Sequence, residues 1–180
     1  MAKIGIEWFL TRKGICSGNH FHAGAFIRSR ADISHPDIQY HFVPTQVVDH
    51  GRKLPEIEAF QLHVNTLRAK SVGFVKIKST NPRDHPIIDP KYFEDPTDLP
   101  DLVTAVKLTR EIFAQHAFDR FRGAEMIPGP VIHTDKEISN WIQDTCETIY
   151  HPCSSNKMGR VMNKITFNKN KLYTTVPTTR

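Results

Sequence analysis

Apolar and polar residues alternate with a period of two in the first half of this chain. In the second half apolar residues recur at three- and four-residue spacing, so strands are expected first and helices later. Over residues 38–43, Ile38, Tyr40 and Phe42 share one face while Gln39 and His41 share the other. Over residues 60–65, Phe60, Leu62 and Val64 oppose Gln61, His63 and Asn65. Both stretches predict half-buried strands with a polar face toward solvent. Residues 21–29 (FHAGAFIRS) predict another strand, in which Gly24 signals a bulge or a close backbone approach. A fourth is expected over 71–79, with Val75 and Ile77 on one face, Lys76 and Lys78 on the other, and Asn81-Pro82 as the closing turn. Most connections are too short for helical crossovers, which favours antiparallel pairing. The longer polar stretch 45–58, with Gly51 and Pro55, suits a lid or an active-site rim, although a plain surface connection is commoner.

Ile4, Trp8 and Phe9 ahead of Gly14 predict a short entering helix over 3–12. Leu102, Val103, Val106, Ile112 and Phe113 mark an amphipathic helix over 98–118. Thr134 and Glu137 form a capping box for a further helix, whose apolar residues Ile138, Trp141 and Ile142 lead toward Ile149. Pro152 forbids its continuation, so the chain turns near His151. The predicted fold class is α+β, a mostly antiparallel sheet with helices packed on one face.

Composition narrows the classes. A chain of 180 residues with 39% hydrophobic content and eleven phenylalanines can build one domain with a real core. No apolar run approaches the ~20 residues of a membrane span, and the N-terminus reads as neither a secretory signal nor a transit peptide. Cys16, Cys146 and Cys153 form an odd set without a CxxC pair, which suits free thiols in a reducing compartment. The net charge is +5, but residues 148–180 hold six basic residues and no acid, leaving 18 basic against 19 acidic residues elsewhere. The excess belongs to a tail, so no nucleic-acid partner is expected.

Ten histidines invite a search for chemistry. His151 is the strongest candidate, at the expected end of a helix and next to Pro152, with Ser154, Ser155 and Asn156 following as hydrogen-bonding neighbours. Spacing alone favours a plainer role, a histidine that caps helix carbonyls. Cys146, His151 and Cys153 lack the fourth ligand of a closed zinc site, so no metal is expected. His151 and Cys153 stand two apart on an extended chain and point to opposite sides, which excludes a nucleophile–base pair. No glycine-rich phosphate cradle occurs.

The runs SGNHFHAGAFIRSR, HPDIQYHFVPTQVVDHG, SVGFVKIKSTNPRDHPIIDPKYF, VKLTREIFAQHAFDRFRG, TDKEI and YHPCSSNKMG, in this order, resemble the C-terminal half of the choline-oxidising branch of the glucose–methanol–choline (GMC) flavoprotein oxidoreductases. The resemblance covers residues 4–159. It implies a two-part enzyme in which an FAD-binding domain meets a substrate domain. This chain corresponds to the substrate domain over 1–159, with the FAD-binding domain absent, followed by a divergent, disordered basic tail over 160–180. The His-Pro motif falls on His151 and Pro152, which makes His151 the implied base that takes the alcohol proton while a hydride passes to the flavin. His41 matches a histidine at the substrate alcohol, and Tyr150 could offer a π face to a quaternary ammonium. His22 stands where choline-oxidising members tend to have a glutamate, which weakens the case for choline as the small alcohol substrate. Ser155 replaces a common threonine, and the asparagine partner of the base is missing from the tail. Implied further are FAD as cofactor, a flavin domain supplied elsewhere, and inactivity of this piece alone. Apolar surface left exposed where a flavin domain would pack predicts self-association if the piece is a non-catalytic remnant. The compartment would be mitochondrial in a eukaryote, otherwise cytoplasmic or associated with the inner membrane. The competing reading is a non-catalytic truncated paralogue serving as an interaction module.

Overall fold

The computed structural model describes residues 2–19, 21–53 and 57–153, together with the backbone of residues 174–179. Alternation of β-branched and aromatic residues produces three central strands, β1 (Ala23–Ile27), β2 (Ile38–Val43) and β3 (Gln61–Thr66). They pair antiparallel, with Gly24 opposite His41 and His41 opposite His63. β1 pairs with β2 in unbroken register, so Gly24 marks a close approach and not a bulge: a Cβ there would lie 3.0 Å from the Tyr40 carbonyl oxygen.

Two helices, α2 (Asp98–Phe113) and α3 (Asp135–Thr145), cover the sheet face carrying Ile38, Tyr40, Leu62 and Val64. From α2 come Leu102, Val103, Ala105, Val106 and Phe113, and from α3 Ile138 and Ile142, all buried in one cluster. Each large apolar side chain so buried contributes about 1.5–3 kcal/mol before the entropy of ordering it is subtracted. The Tyr40 hydroxyl donates to the Ala105 carbonyl at 3.1 Å, which satisfies the one polar atom this tyrosine takes into the core. Burial raises the Tyr40 phenol to about 12.

The capping box at Thr134 and Glu137 is present in full. Glu137 accepts from the backbone amides of Thr134 and His133, and these bonds pull its carboxyl down to about 2. α2 stops at Phe113, short of the predicted residue 118, because Gln115 turns extended at φ −66°, ψ 143°. Phe118 still returns to the core, its ring 5.2 Å from that of Phe113 and 5.9 Å from that of Phe60. Arg110 pins the following loop to α2 through Glu125 (2.9 Å) and the carbonyls of Ile132 (2.7 Å) and Gly129 (3.3 Å).

Four expectations need correction. The strand predicted over 71–79 shrinks to β4 (Phe74–Lys76), which pairs with β5 (Ile87–Asp89) in a separate two-stranded sheet. Val75 and Ile77 are 44% and 88% exposed, so their alternation reports no buried face. β3 is buried on both faces: Gln61 and Asn65, expected to face solvent, are inaccessible. The helix predicted over 3–12 forms as α1 (Ala2–Thr11), yet none of its residues is buried. Lastly, part of the expected tail, Thr174–Thr179, forms β7 between β3 and the short β6 (Glu147–Thr148), giving the sheet order β1-β2-β3-β7-β6. Its threonines and valine are strand formers, a signal that the basic charge around them obscures. The rest of that tail, with Ser154, Ser155 and Asn156, lies outside the described residues. Among the described residues no helix is long and apolar enough to cross a membrane.

Candidate active site

The helices take one face of the sheet, and the pleat sends the alternate side chains to the other. The second face therefore collects Gln39 and His41 of β2 with Gln61, His63 and Asn65 of β3. Gly24, opposite His41 on β1, puts no side chain beside it. His41 is half-buried, and the Phe21 ring meets it edge-on at 5.9 Å. Burial, and after it the charge of His151, holds the His41 imidazole below its usual range. Burial and the charge of His41 push His63 further, to about 4. The charge of His151, in the segment after α3, thus reaches His41 on β2, and the charge of His41 reaches His63 on β3.

The protonation pattern of His63 follows from its partner. Gln61 Oε1 accepts from the Val47 amide at 2.8 Å, and Gln61 Nε2 donates to the Val47 carbonyl at 3.3 Å, which fixes the orientation of the amide. His63 Nε2 lies 3.0 Å from the same Oε1, so Nε2 carries the proton and Nδ1 keeps a lone pair. Asn65, fully buried on this face, has neither side-chain amide atom partnered among the described residues. Such a face has polar groups left to satisfy from outside them.

His151 lies elsewhere than the helix pattern implied. α3 ends at Thr145 because Cys146 is extended at φ −66°, ψ 133°, and β6 follows at once. No basic residue stands in the last turn of α3, so His151 is not a helix cap. It is exposed, and Tyr150 just before it adopts a left-handed φ of 63°. The Tyr150 hydroxyl lies 2.5 Å from His50 Nδ1, while His50 Nε2 lies 3.2 Å from Glu147 Oε1. Of the sequence candidates, His41 feels the charge of His151, while Tyr150 meets His50. His22 is exposed, one residue ahead of β1.

Sequence reasoning placed His63 on a polar face but assigned it no role, and it missed His50 and Glu147. Strand register would have identified His63, whereas His50 sits in a loop without periodicity. No group of three His, Cys, Asp or Glu residues among the described ones is arranged to hold a metal. A small cavity bordered by Thr66, Ser71, Tyr92 and Asp98 lies at the start of α2, and no histidine lines it.

The family model described as GMC oxidoreductase matches residues 69–171, more than half of the chain. The chain belongs to the GMC oxidoreductase family. It is 50% identical over 157 residues to "Choline dehydrogenase, mitochondrial" of Mus musculus, covering 87% of this chain and 26% of that protein. The Homo sapiens protein of the same name is 48% identical over the same length. "Oxygen-dependent choline dehydrogenase" of Brucella ovis is 46% identical over 160 residues, 89% of this chain and 29% of that protein. This GMC chain therefore spans between a quarter and a third of the length of the curated relatives it matches. Among solved structures, pyridoxine 4-oxidase from Mesorbium loti superimposes with a TM-score of 0.70 at 24% identity, over 79% of this chain and 28% of that one. That likeness shows the fold: the mixed helix and antiparallel sheet expected from periodicity is the GMC C-terminal architecture.

Proposed function

We propose that this chain is the alcohol-facing part of an FAD-dependent oxidoreductase that converts a primary alcohol of the choline type into its aldehyde. The observation that carries this reading is the family match over residues 69–171, with a half-buried His41 standing on the sheet face that the helices leave free and near enough to feel the charge of His151. An imidazole at His151 accepts the hydroxyl proton, so that negative charge grows on the carbinol oxygen and the C–H bond is weakened toward hydride loss. His41, held neutral by burial, offers that oxygen a hydrogen bond without competing for the proton. His63 and Gln61 behind it fix the rung on which His41 stands.

FAD, when bound, supplies the acceptor for the hydride. The residues of this chain suit the alcohol side of that cofactor, with imidazoles on one face beside the Asn65 amide, which has no partner among the described residues. The chain has no glycine-rich cradle for the nucleotide end. The flavin domain is then supplied by another part of the whole protein, and residues 1–159 form the partial substrate domain. Choline or a related amino alcohol is the proposed substrate, on the names of the mammalian and bacterial relatives. A mitochondrial location is proposed on the two mammalian names.

The exposed apolar residues Ile6, Phe9 and Leu10 of α1 favour a second reading for the piece alone. Unpartnered, such a surface drives self-association, as a non-catalytic interaction module would show. His151→Ala in the flavin-loaded full-length protein separates the two. Alcohol-dependent flavin reduction is expected to slow by at least about 100-fold; an unchanged rate removes the assignment of the base.

A further inference from the structure

Loop 45–53 meets the segment that carries His151 through a relay of three side chains. Tyr150 Oη lies 2.5 Å from His50 Nδ1 across 100 residues of chain, and His50 Nε2 lies 3.2 Å from Glu147 Oε1. The phenol hydroxyl carries the proton between them, so it donates and Nδ1 accepts. The ring proton then sits on Nε2, which donates to the Glu147 carboxylate. Each group serves the next, and the two rings meet edge to face at 6.0 Å and 67°.

The backbone points to the same place. Asp49, His50 and Tyr150 hold left-handed φ values of 48°, 54° and 63° without being glycine. Such conformations persist where the surroundings over-determine them. The start of the loop is held as well, by the Gln61 amide on both backbone atoms of Val47, the same amide that orients His63. Loop 45–53 is therefore tied to β3 on one side and to the His151 segment on the other.

We infer that Tyr150, His50 and Glu147 form a latch that holds loop 45–53 against the segment bearing His151, which makes His50 and Glu147 positioning residues of the candidate site. The latch stands on geometry alone; its consequence for substrate rests on the proposed function. With its hydroxyl committed to His50, Tyr150 fixes the backbone next to His151, and with it the place of the base relative to the substrate.

Hydrogen–deuterium exchange of the amides of Gly51, Arg52 and Lys53 tests the latch in the flavin-loaded full-length protein. Tyr150→Phe removes a single oxygen, and these amides are expected to exchange about fivefold faster, as loss of one hydrogen bond predicts. The kcat for choline should fall by a similar factor with KM little changed. His50→Asn tolerates left-handed backbone and keeps an acceptor near the Nδ1 position but loses the donor to Glu147, so its exchange should fall between that of the unsubstituted protein and that of a His50→Ala protein. Unchanged exchange in Tyr150→Phe overturns the latch, as would exchange in His50→Asn as fast as in a His50→Ala protein. Because exchange is read without turnover, a His151→Ala protein that kept its activity would remove the proposed reaction and leave this measurement intact.

Discussion

His41 and His63 stand directly opposite each other on β2 and β3, and a proton on His41 disfavours one on His63. Both imidazoles are drawn into a sheet whose other face is the apolar core, so both are pushed toward the neutral form.

A pH dependence of stability follows from His63. With a folded pKa of about 4 against 6.5, it binds fewer protons in the folded state than in the unfolded one between these values. Stability therefore falls as pH drops from 6.5 toward 4, by at most on the order of 3 kcal/mol from this residue. His63→Gln should flatten that decline. Denaturant unfolding of both proteins at pH 7 and pH 4.5 checks it, and equal losses in the two would show that His63 is not buried neutral.

His41 supplies a separate prediction for chemistry. If it steadies the growing charge on the alcohol oxygen, His41→Ala should lower kcat by about 100-fold, the cost of removing one donor to a developing oxyanion. Binding of a non-reactive substrate analogue should change little. A rise confined to KM would assign His41 to substrate binding alone.

Much of the fold was legible because one face of each element is buried. Ile38, Tyr40 and Val64 announce strands, and Leu102, Val106, Ile138 and Ile142 announce helices, since each sits where its period meets the core. The same logic misled at Val75 and Ile77, which alternate without burying anything. It also failed at Gln61 and Asn65, polar residues that are nevertheless buried. At the site, the resemblance pointed to His151 while spacing pointed to a helix cap, and the early stop of α3 at Thr145 decides against the cap. His50 and Glu147 were invisible because a contact spanning 100 residues leaves no local pattern.

The capping box on α3 was read from two residues and can be tested through one. Thr134 accepts from the Glu137 amide at 3.3 Å, while the Glu137 carboxylate holds the amides of Thr134 and His133. Thr134→Ala should cost about 1 kcal/mol. The carboxylate adds a pH signature: its folded pKa is depressed to about 2, so its contribution is present above about 4.5 and fades as pH falls through 2. Thermal unfolding of the Thr134→Ala protein at pH 7 measures the first effect, and an unchanged midpoint would mean that α3 is held by packing alone.

Asp98 offers the sharpest stability test, because its carboxylate is buried at the start of α2 and fully used. It accepts from the Lys70 and Ser71 amides at 2.8 Å each and from the Ser71 hydroxyl at 2.5 Å, which fastens the connection after β3 to the helix. Negative charge also complements the positive end of the helix dipole. Asp98→Ala strands two amides and a hydroxyl and should cost about 3 kcal/mol. Asp98→Asn keeps the shape but turns an NH2 group toward donors, so it should recover only part of the loss. Urea unfolding ranks the variants, with the expected order of damage Asp98→Ala, then Asp98→Asn, then Thr134→Ala. An Asp98→Asn protein as stable as the original would mean that volume at this position matters and the acceptor does not.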